Sequence, residues 1–350
     1  MSQWLLYGAN GYTGELVARQ AAREGLRPIL AGRSADAVGR LADELGFEAR
    51  VFGLDDAAAV DRGLAGVRAV LHAAGPFSRT SAPMVAGCLR AGAHYLDITG
   101  EIPVFEACRA QDAAARARGV VVLPGVGFDV VPSDCLAKAL AEALPQAVRL
   151  ELVIFALGEV SRGTAKTMVE HLGEGSAVRE GGRLVAIPSG SRTRTVRIGG
   201  REREAVAVPW GDLATAYAST GIGDIATFMT FPKRQIRAMR AMRLLGPLLR
   251  RKAVIRLLQG IIERRLSGPG EQARESGSTE IWGRVEGPDG RAVEGRVRAP
   301  EGYKTTVIAA LASVRRVLAG GVPPGYHTPA TAFGSGFVAT LPGCTLEVPG

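Results

Sequence analysis

Gly8, Gly11 and Gly14 stand three residues apart, between the apolar run Trp4–Tyr7 and a helical pattern carried by Leu16, Val17 and Ala21. A second apolar run, 28–31, stops at Gly32-Arg33-Ser34. Strand, glycine turn, helix and strand form the setting in which such glycines bind a dinucleotide. Gly8 lets the chain turn sharply, Gly11 removes the side chain that would bar a pyrophosphate, and Gly14 lets the helix pack close to the strand. The unpaired N–H groups and positive dipole end of the helix then face the phosphates, with Asn10, Tyr12 and Thr13 around them. A carboxylate about 20 residues past the glycines would bind the ribose 2′-OH of NAD, whereas an arginine accommodates the 2′-phosphate of NADP. Arg33 and Ser34 hold that position, and a fork-shaped cation beside a hydroxyl suits a phosphate. The expected cofactor is NADP(H).

A second group of residues offers acid–base chemistry. Ala74-Gly75-Pro76-Phe77 follows a strand-like run and is expected beside the nicotinamide half of the cofactor, where small residues let it lie on the backbone. Phe77 either walls the ring or fills the core. Near that loop the expected polar groups are Glu101, Asp129, Ser133 and Asp134. None of the six tyrosines has a lysine four residues later, so a short-chain dehydrogenase mechanism is excluded. Hydride transfer to an activated alkene or imine needs only a positioned acceptor and a proton donor. Asp129 is the first choice for polar contact with substrate, with Glu101 and Ser133 as further catalytic candidates. Ser133 and Asp134 also read as caps of the helix after Pro132.

These residues need a scaffold. Strand patterns at 4–7, 28–31, 49–52, 69–73 and 120–123, with another over 94–101 whose end carries polar groups, alternate with helix patterns at 35–45, 80–91 and 102–118. Asp56 reads as the cap of one more helix, and Asp55 as a neighbour of the adenine edge. Such alternation predicts a Rossmann-like, doubly wound parallel sheet. The turn at Gly125 and Gly127 marks where the chain leaves it. From about residue 147 the pattern turns to strands at 148–156, 183–187, 193–198, 204–208 and 225–231, with one helix near 163–172. Gly287-Pro-Asp289-Gly290 joins two further runs, 279–286 and 291–298, and a last helix spans 303–319. The expected architecture is therefore α/β, with a second α+β domain containing a mostly antiparallel sheet. The domains are expected at 1–135, for NADP, and 136–302, for substrate and dimerisation. The segment 303–350 is expected to return to the first domain.

Length and composition narrow the classes. A chain of 350 residues, 47% hydrophobic and 22% charged, can bury a large core. A first strand this early predicts no cleaved leader, and no uncharged run reaches the roughly 18 residues that cross a bilayer. The four cysteines lack ligand spacing and read as reduced packing residues, which places the chain in the cytoplasm; the scattered histidines support no metal site. Of the net charge of +9, residues 233–265 carry +10, leaving −1 elsewhere, so a general nucleic-acid surface is not expected. That segment splits at Gly246-Pro247 into two basic amphipathic helices. One reading packs it on the second domain; the other sets it against anionic lipid at a membrane or over an acyl substrate. Lys166 and His171 fall on different helix faces and read as solvated surface.

The stretches around Gly8–Ala18, Leu30–Ser34, Ala73–Phe77, Ala91–Glu101 and Gly127–Asp134 together resemble the saccharopine dehydrogenase-like oxidoreductases, a group that includes the trans-acting enoyl reductases. The resemblance is strong over 1–135 and thin beyond, apart from Gly163-Thr164 and Gly325–Pro329. It implies that Gly8, Gly11, Gly14, Arg33, Gly75 and Pro76 carry the cofactor, and that the loops Thr99–Glu101 and Phe128–Asp134 face the substrate. Where relatives have Phe-Asp-Ser-Ile-Pro-Ser-Asp this chain has Val130 and Val131, which removes a hydroxyl. The expected function is an NADPH-dependent reductase for an apolar or acyl-type unsaturated substrate, as in an enoyl reductase. The alternatives are a non-catalytic NADP-binding regulator and a saccharopine-type amino-acid dehydrogenase. The latter should cluster arginines for substrate carboxylates, and only Arg79 offers itself. The second sheet is the expected place for a homodimer contact.

Overall fold

The computed structural model describes residues 4–157, 175–242, 254–255, 260, 275 and 277–349. They divide into two compact units, one of residues 1–131 with 303–337 and the other of 132–302 with 338–350.

The first unit is built on a parallel sheet. Its strands are β1 (Trp4–Tyr7), β2 (Ile29–Gly32), β3 (Ala49–Val51), β4 (Ala69–His72), β5 (His94–Asp97) and β6 (Val121–Leu123). Between them run α1 (Tyr12–Arg23), α2 (Ala35–Leu45), α3 (Ala57–Gly63), α4 (Phe77–Ala91), α5 (Ile102–Arg109) and α6 (Asp112–Ala117). The central strands are apolar at nearly every position because both faces are covered. Val17, Ala18, Val38 and Leu41 pack on one face, and Val60, Met84, Val104 and Ala115 on the other. Asp56 caps α3 by accepting from Ala58 N at 2.9 Å, as its position before an alanine run predicts.

Two features of this unit escape the sequence pattern. The stretch 102–118, expected as one helix, breaks into α5 and α6 around Ala110 and Gln111. A seventh strand also joins the sheet beside β6. The helix α10 (Gly302–Ala319) returns to this unit and leads to β15 (Gly325–Tyr326), which pairs parallel with Val121 and Val122. Tyr326 N donates to Asp112 Oδ1 at 2.8 Å, and α11 (Pro329–Phe333) follows. The sheet order is β15-β6-β5-β4-β1-β2-β3. Chain progression therefore reverses between β1 and β4, which is the switch point where open α/β sheets hold their ligands.

The second unit takes α7 (Val131–Ala143) from its second residue, then β7 (Arg149–Leu157), β8 (Ser176–Glu180), β9 (Arg183–Ile187), β10 (Thr193–Ile198) and β11 (Arg201–Ala207). Next come α8 (Asp212–Thr220), β12 (Asp224–Thr230), α9 (Lys233–Met242), β13 (Ser278–Glu286) and β14 (Ala292–Pro300). The main strand order is β10-β11-β12-β7-β13-β14-β16, where β16 is Thr345–Glu347. The pairing of β12 with β7 is parallel and the others along this path are antiparallel, so the sheet is mixed and mostly antiparallel. Helix α7 lies on β13, where a Cβ on Gly283 would stand 2.7 Å from Leu140. The predicted hairpin at Gly287–Gly290 is present, with Gly287 N donating to Arg291 O at 2.8 Å and Gly290 at φ +81°.

Strand β8 and helix α8 are not evident in the sequence pattern. The C-terminal segment, expected to return whole to the first domain, is shared. Residues 338–350 lie with the second unit because Leu346 takes its place in the ladder opposite Val297. The expected helix near 163–172, with Lys166 and His171, lies outside the described residues, as does most of 243–265. Within the basic segment, α9 buries Ile236 and exposes Lys233, Arg234 and Arg237. Among the described residues no helix is long and apolar enough to cross a membrane, and no group of three or more His, Cys, Asp or Glu side chains is placed to share a metal ion.

Candidate functional site

The glycine loop closes tightly on itself at the end of β1. Gly8 N donates to Ala31 O at 2.8 Å and Gly11 N to Gly8 O at 3.0 Å. Gly8 sits at φ +85°, where a Cβ would also stand 2.8 Å from the Cβ of Ala74. Glycine is therefore required there twice, by backbone conformation and by the close approach of the loop after β4. A Cβ on Gly14 would lie 2.1 Å from Gly8 O, so the third glycine is demanded by the packing of α1 on the turn. Gly11 differs from both. Its φ of −79° suits any residue, and an added Cβ would meet only Gly8 O at 3.2 Å.

Gly11 is exposed, and as N-cap of α1 it brings no side chain to satisfy the first turn. The one acid of that turn, Glu15, is matched by Arg19 at 2.7 Å. An open helix start with its local carboxylate neutralised fits a pyrophosphate by charge and by space. Asn10 lies across the end of β2, where a Cβ on Gly32 would come within 3.0 Å of its Oδ1. The small size of Gly32, which drew no separate attention in the sequence, makes room for Asn10. Thr13 is half-buried in the first turn of α1, and Tyr12 meets Tyr303 edge-on with ring centroids 5.0 Å apart.

Arg33 is exposed directly after β2. Burial raises the Tyr7 phenol pKa, while the charge of Arg33 lowers it and that of Asp55 raises it, so both charges act on the end of β1. Ser34, read from sequence as a phosphate ligand, caps α2 here by accepting from Ala37 N at 3.4 Å.

The loop after β4 is held from two sides. Thr80 Oγ1 lies 2.7 Å from Ala74 O and 3.1 Å from Pro76 O, as donor, and 2.9 Å from His72 Nε2. His72 is fully buried, and burial pushes its imidazole pKa down to about 3, so the ring is neutral. Phe77 stands edge-on to the His72 ring at 5.5 Å, so of its two sequence readings the structure supplies a packing contact. From the opposite side the Glu101 carboxylate accepts from Phe77 N at 2.8 Å and Ser78 N at 2.9 Å.

The loops after β5 and β6 are joined by Asp97, a residue that stood out in the sequence only as the end of a strand. Its Oδ1 accepts from Thr99 N at 3.0 Å and Gly125 N at 2.8 Å, and its Oδ2 accepts from Tyr95 Oη at 2.7 Å. Burial raises this carboxyl to about 6 although all three hydrogen bonds oppose the rise. Asp129 sits next to Gly100, where a Cβ would come within 2.8 Å of its Oδ2. Burial also raises Asp129, to about 6, a value suited to proton transfer near neutral pH. The fold thus brings Glu101 and Asp129 into adjacent loops. Ser133 and Asp134 lie in the first turn of α7, fully buried, in the second unit.

The sequence of the first unit also matches known proteins. Residues 4–123 match the family described as the saccharopine dehydrogenase NADP binding domain. A trans-acting enoyl reductase of Mycobacterium bovis is 31% identical over 207 residues, which is 53% of this chain and 48% of the relative. One from Mycobacterium leprae is 37% identical over 141 residues, covering 37% and 33% of the two chains. The chain thus covers less than half the length of the curated relatives it matches. The solved structure of apo saccharopine dehydrogenase (L-Glu forming) from Saccharomyces cerevisiae aligns over 100% of both chains with a TM-score of 0.70 at 11% identity, which establishes a shared fold.

Proposed function

Because residues 4–123 match the family described as the saccharopine dehydrogenase NADP binding domain, we propose that this chain is an NADPH-dependent reductase acting on an apolar or acyl-type unsaturated substrate. The observation that carries the reading is the open start of α1 at Gly11, together with the exposed Arg33 at the ribose position. The adenosine 2′-phosphate would lie against Arg33 and the pyrophosphate against the first N–H groups of α1, with Asn10, Tyr12 and Thr13 beside it. Ala74, Gly75 and Pro76 would carry the nicotinamide half. When bound, NADPH supplies a hydride. The chain's own part is to orient the acceptor, to exclude water and to deliver a proton to the second alkene carbon.

Asp129 is the group suited to that delivery. Its carboxyl, raised by burial, retains a proton into the range where a carboxylic acid acts as a donor near neutral pH. The likeness to the enoyl reductases supports the substrate class. Binding is tested first, by quenching of intrinsic fluorescence with NADPH and NADH, then by NADPH oxidation with a series of α,β-unsaturated acyl thioesters. Micromolar NADPH binding with turnover of one series is the expected result. Tight NADPH binding without turnover of any unsaturated acyl compound would favour the non-catalytic reading, and absence of binding would overturn the cofactor assignment.

A further inference from the structure

The loop that would carry the nicotinamide is fixed by side chains distant in sequence. Helix α4 begins at Phe77, and its N-cap residue Pro76 has no side chain able to cap it. The missing acceptor comes from Glu101, which lies 24 and 23 residues downstream of the amides it binds. Each oxygen of the carboxylate takes one amide, Phe77 N on Oε1 and Ser78 N on Oε2. A full negative charge at a helix start is favourable in itself, and two charge-assisted bonds fix the angle of that start. Glu101 is in turn oriented from below, because Glu101 N donates to Thr99 Oγ1 at 3.1 Å and Thr99 N donates to Asp97.

We propose that Glu101 is a positioning residue that holds the Ala74–Ser78 loop in the conformation that receives the nicotinamide, with Thr80 as its counterpart on the carbonyl side. The inference rests on the NADP reading given above. With both oxygens engaged on α4, the carboxylate is committed to the helix start, which leaves proton delivery to Asp129. The division of labour is chemical as well. The starts of α1 and α4 would both attract an anion, but α4 already has an internal one, so the pyrophosphate is directed to α1 alone.

The test separates the two halves of the cofactor. Glu101→Gln keeps the side chain's shape but replaces one acceptor oxygen with an NH₂ group, which opposes one of the two amides. Thr80→Val removes the donor to Ala74 O and Pro76 O while preserving volume. The affinities of NADPH and of 2′,5′-ADP, which lacks the nicotinamide half, are measured for wild type and both variants, with thermal melts as a check on folding. Each variant is expected to bind NADPH roughly fivefold to tenfold more weakly while holding 2′,5′-ADP as wild type does. A double variant weakened no further than the single ones would support action on one loop. Unchanged NADPH affinity in a folded Glu101→Gln protein would overturn the proposal, and so would an equal loss for both ligands. A wild-type protein that binds neither ligand would instead overturn the cofactor reading on which the proposal stands.

Discussion

A Cβ on Gly14 would stand 2.1 Å from the carbonyl oxygen of Gly8, whereas one on Gly11 would stand 3.2 Å from that same atom and meet nothing else. The glycines of one fingerprint therefore answer to different demands. Gly8 and Gly14 are required by the packing of the turn, whereas Gly11 is exposed and far less crowded.

Gly14→Ala should destabilise the protein by about 1–3 kcal/mol, because the turn and α1 must separate to admit a methyl group. Gly11→Val should lower the urea midpoint less than Gly14→Ala does and abolish NADPH binding. A Gly11→Val protein that unfolds as readily as Gly14→Ala, or one that still transfers fluorescence energy to bound NADPH, would contradict this assignment.

Replacement of Arg33 tests the choice of dinucleotide. A charge-assisted bond to a phosphate contributes roughly 1.5–3 kcal/mol, so Arg33→Ala should weaken NADPH roughly tenfold to a hundredfold and leave NADH unaffected. Calorimetric titration of both nucleotides reads the difference directly. Equal affinity of the wild type for NADH and NADPH would rule out the assignment.

Asp97 makes stability depend on pH in a stated direction. Burial raises its carboxyl from 3.8 to about 6 in the folded protein. Between those values the folded state holds a proton that the unfolded chain has lost, so this group's contribution to stability falls as pH rises from about 4 to about 6. The size of that loss is about 3 kcal/mol, at about 1.4 kcal/mol for each unit of pKa. Asp97→Asn keeps an acceptor for Thr99 N and Gly125 N but cannot titrate. Its stability relative to wild type should therefore rise by that order between pH 4 and pH 7, measured by urea unfolding. The comparison cancels the parallel titration of Asp129 and the opposite one of His72, whose depressed pKa favours the fold at higher pH. A difference that stays constant across the range would show that Asp97 does not titrate there.

The cysteines should be silent in the native protein. All four are free and buried; burial raises the Cys88 and Cys108 thiols well above their ordinary range, and Cys344 to about 11. A chromogenic disulfide reagent should therefore react slowly with the folded chain and rapidly with four thiols in guanidinium. One thiol reacting at the rate of a free cysteine would reveal an exposed site.

The elements of the first sheet are legible in the sequence because their causes are local. β1, β2, β4 and β6 are short, mostly apolar runs closed by turn residues, and α1 begins where Gly8–Gly11 turns the chain. The hairpin at Gly287–Gly290 and the cap at Asp56 are equally local, since a side chain there bonds backbone two residues away. The glycine fingerprint and Arg33 sit where strand–turn–helix order places them. What the tertiary structure decided is which distant loops meet. Strand β15, two residues long, has no period of its own and becomes a strand only because β6 offers an open edge. Glu101 could be read as an acid but not as the cap of a helix beginning at Phe77, and Asp97 could not be read as the tie between Thr99 and Gly125. Those bonds span up to 28 residues and exist only because parallel strands bring their carboxyl-end loops side by side. Periodicity records what one segment does alone, and the orientation of these carboxylates is set by the register between segments.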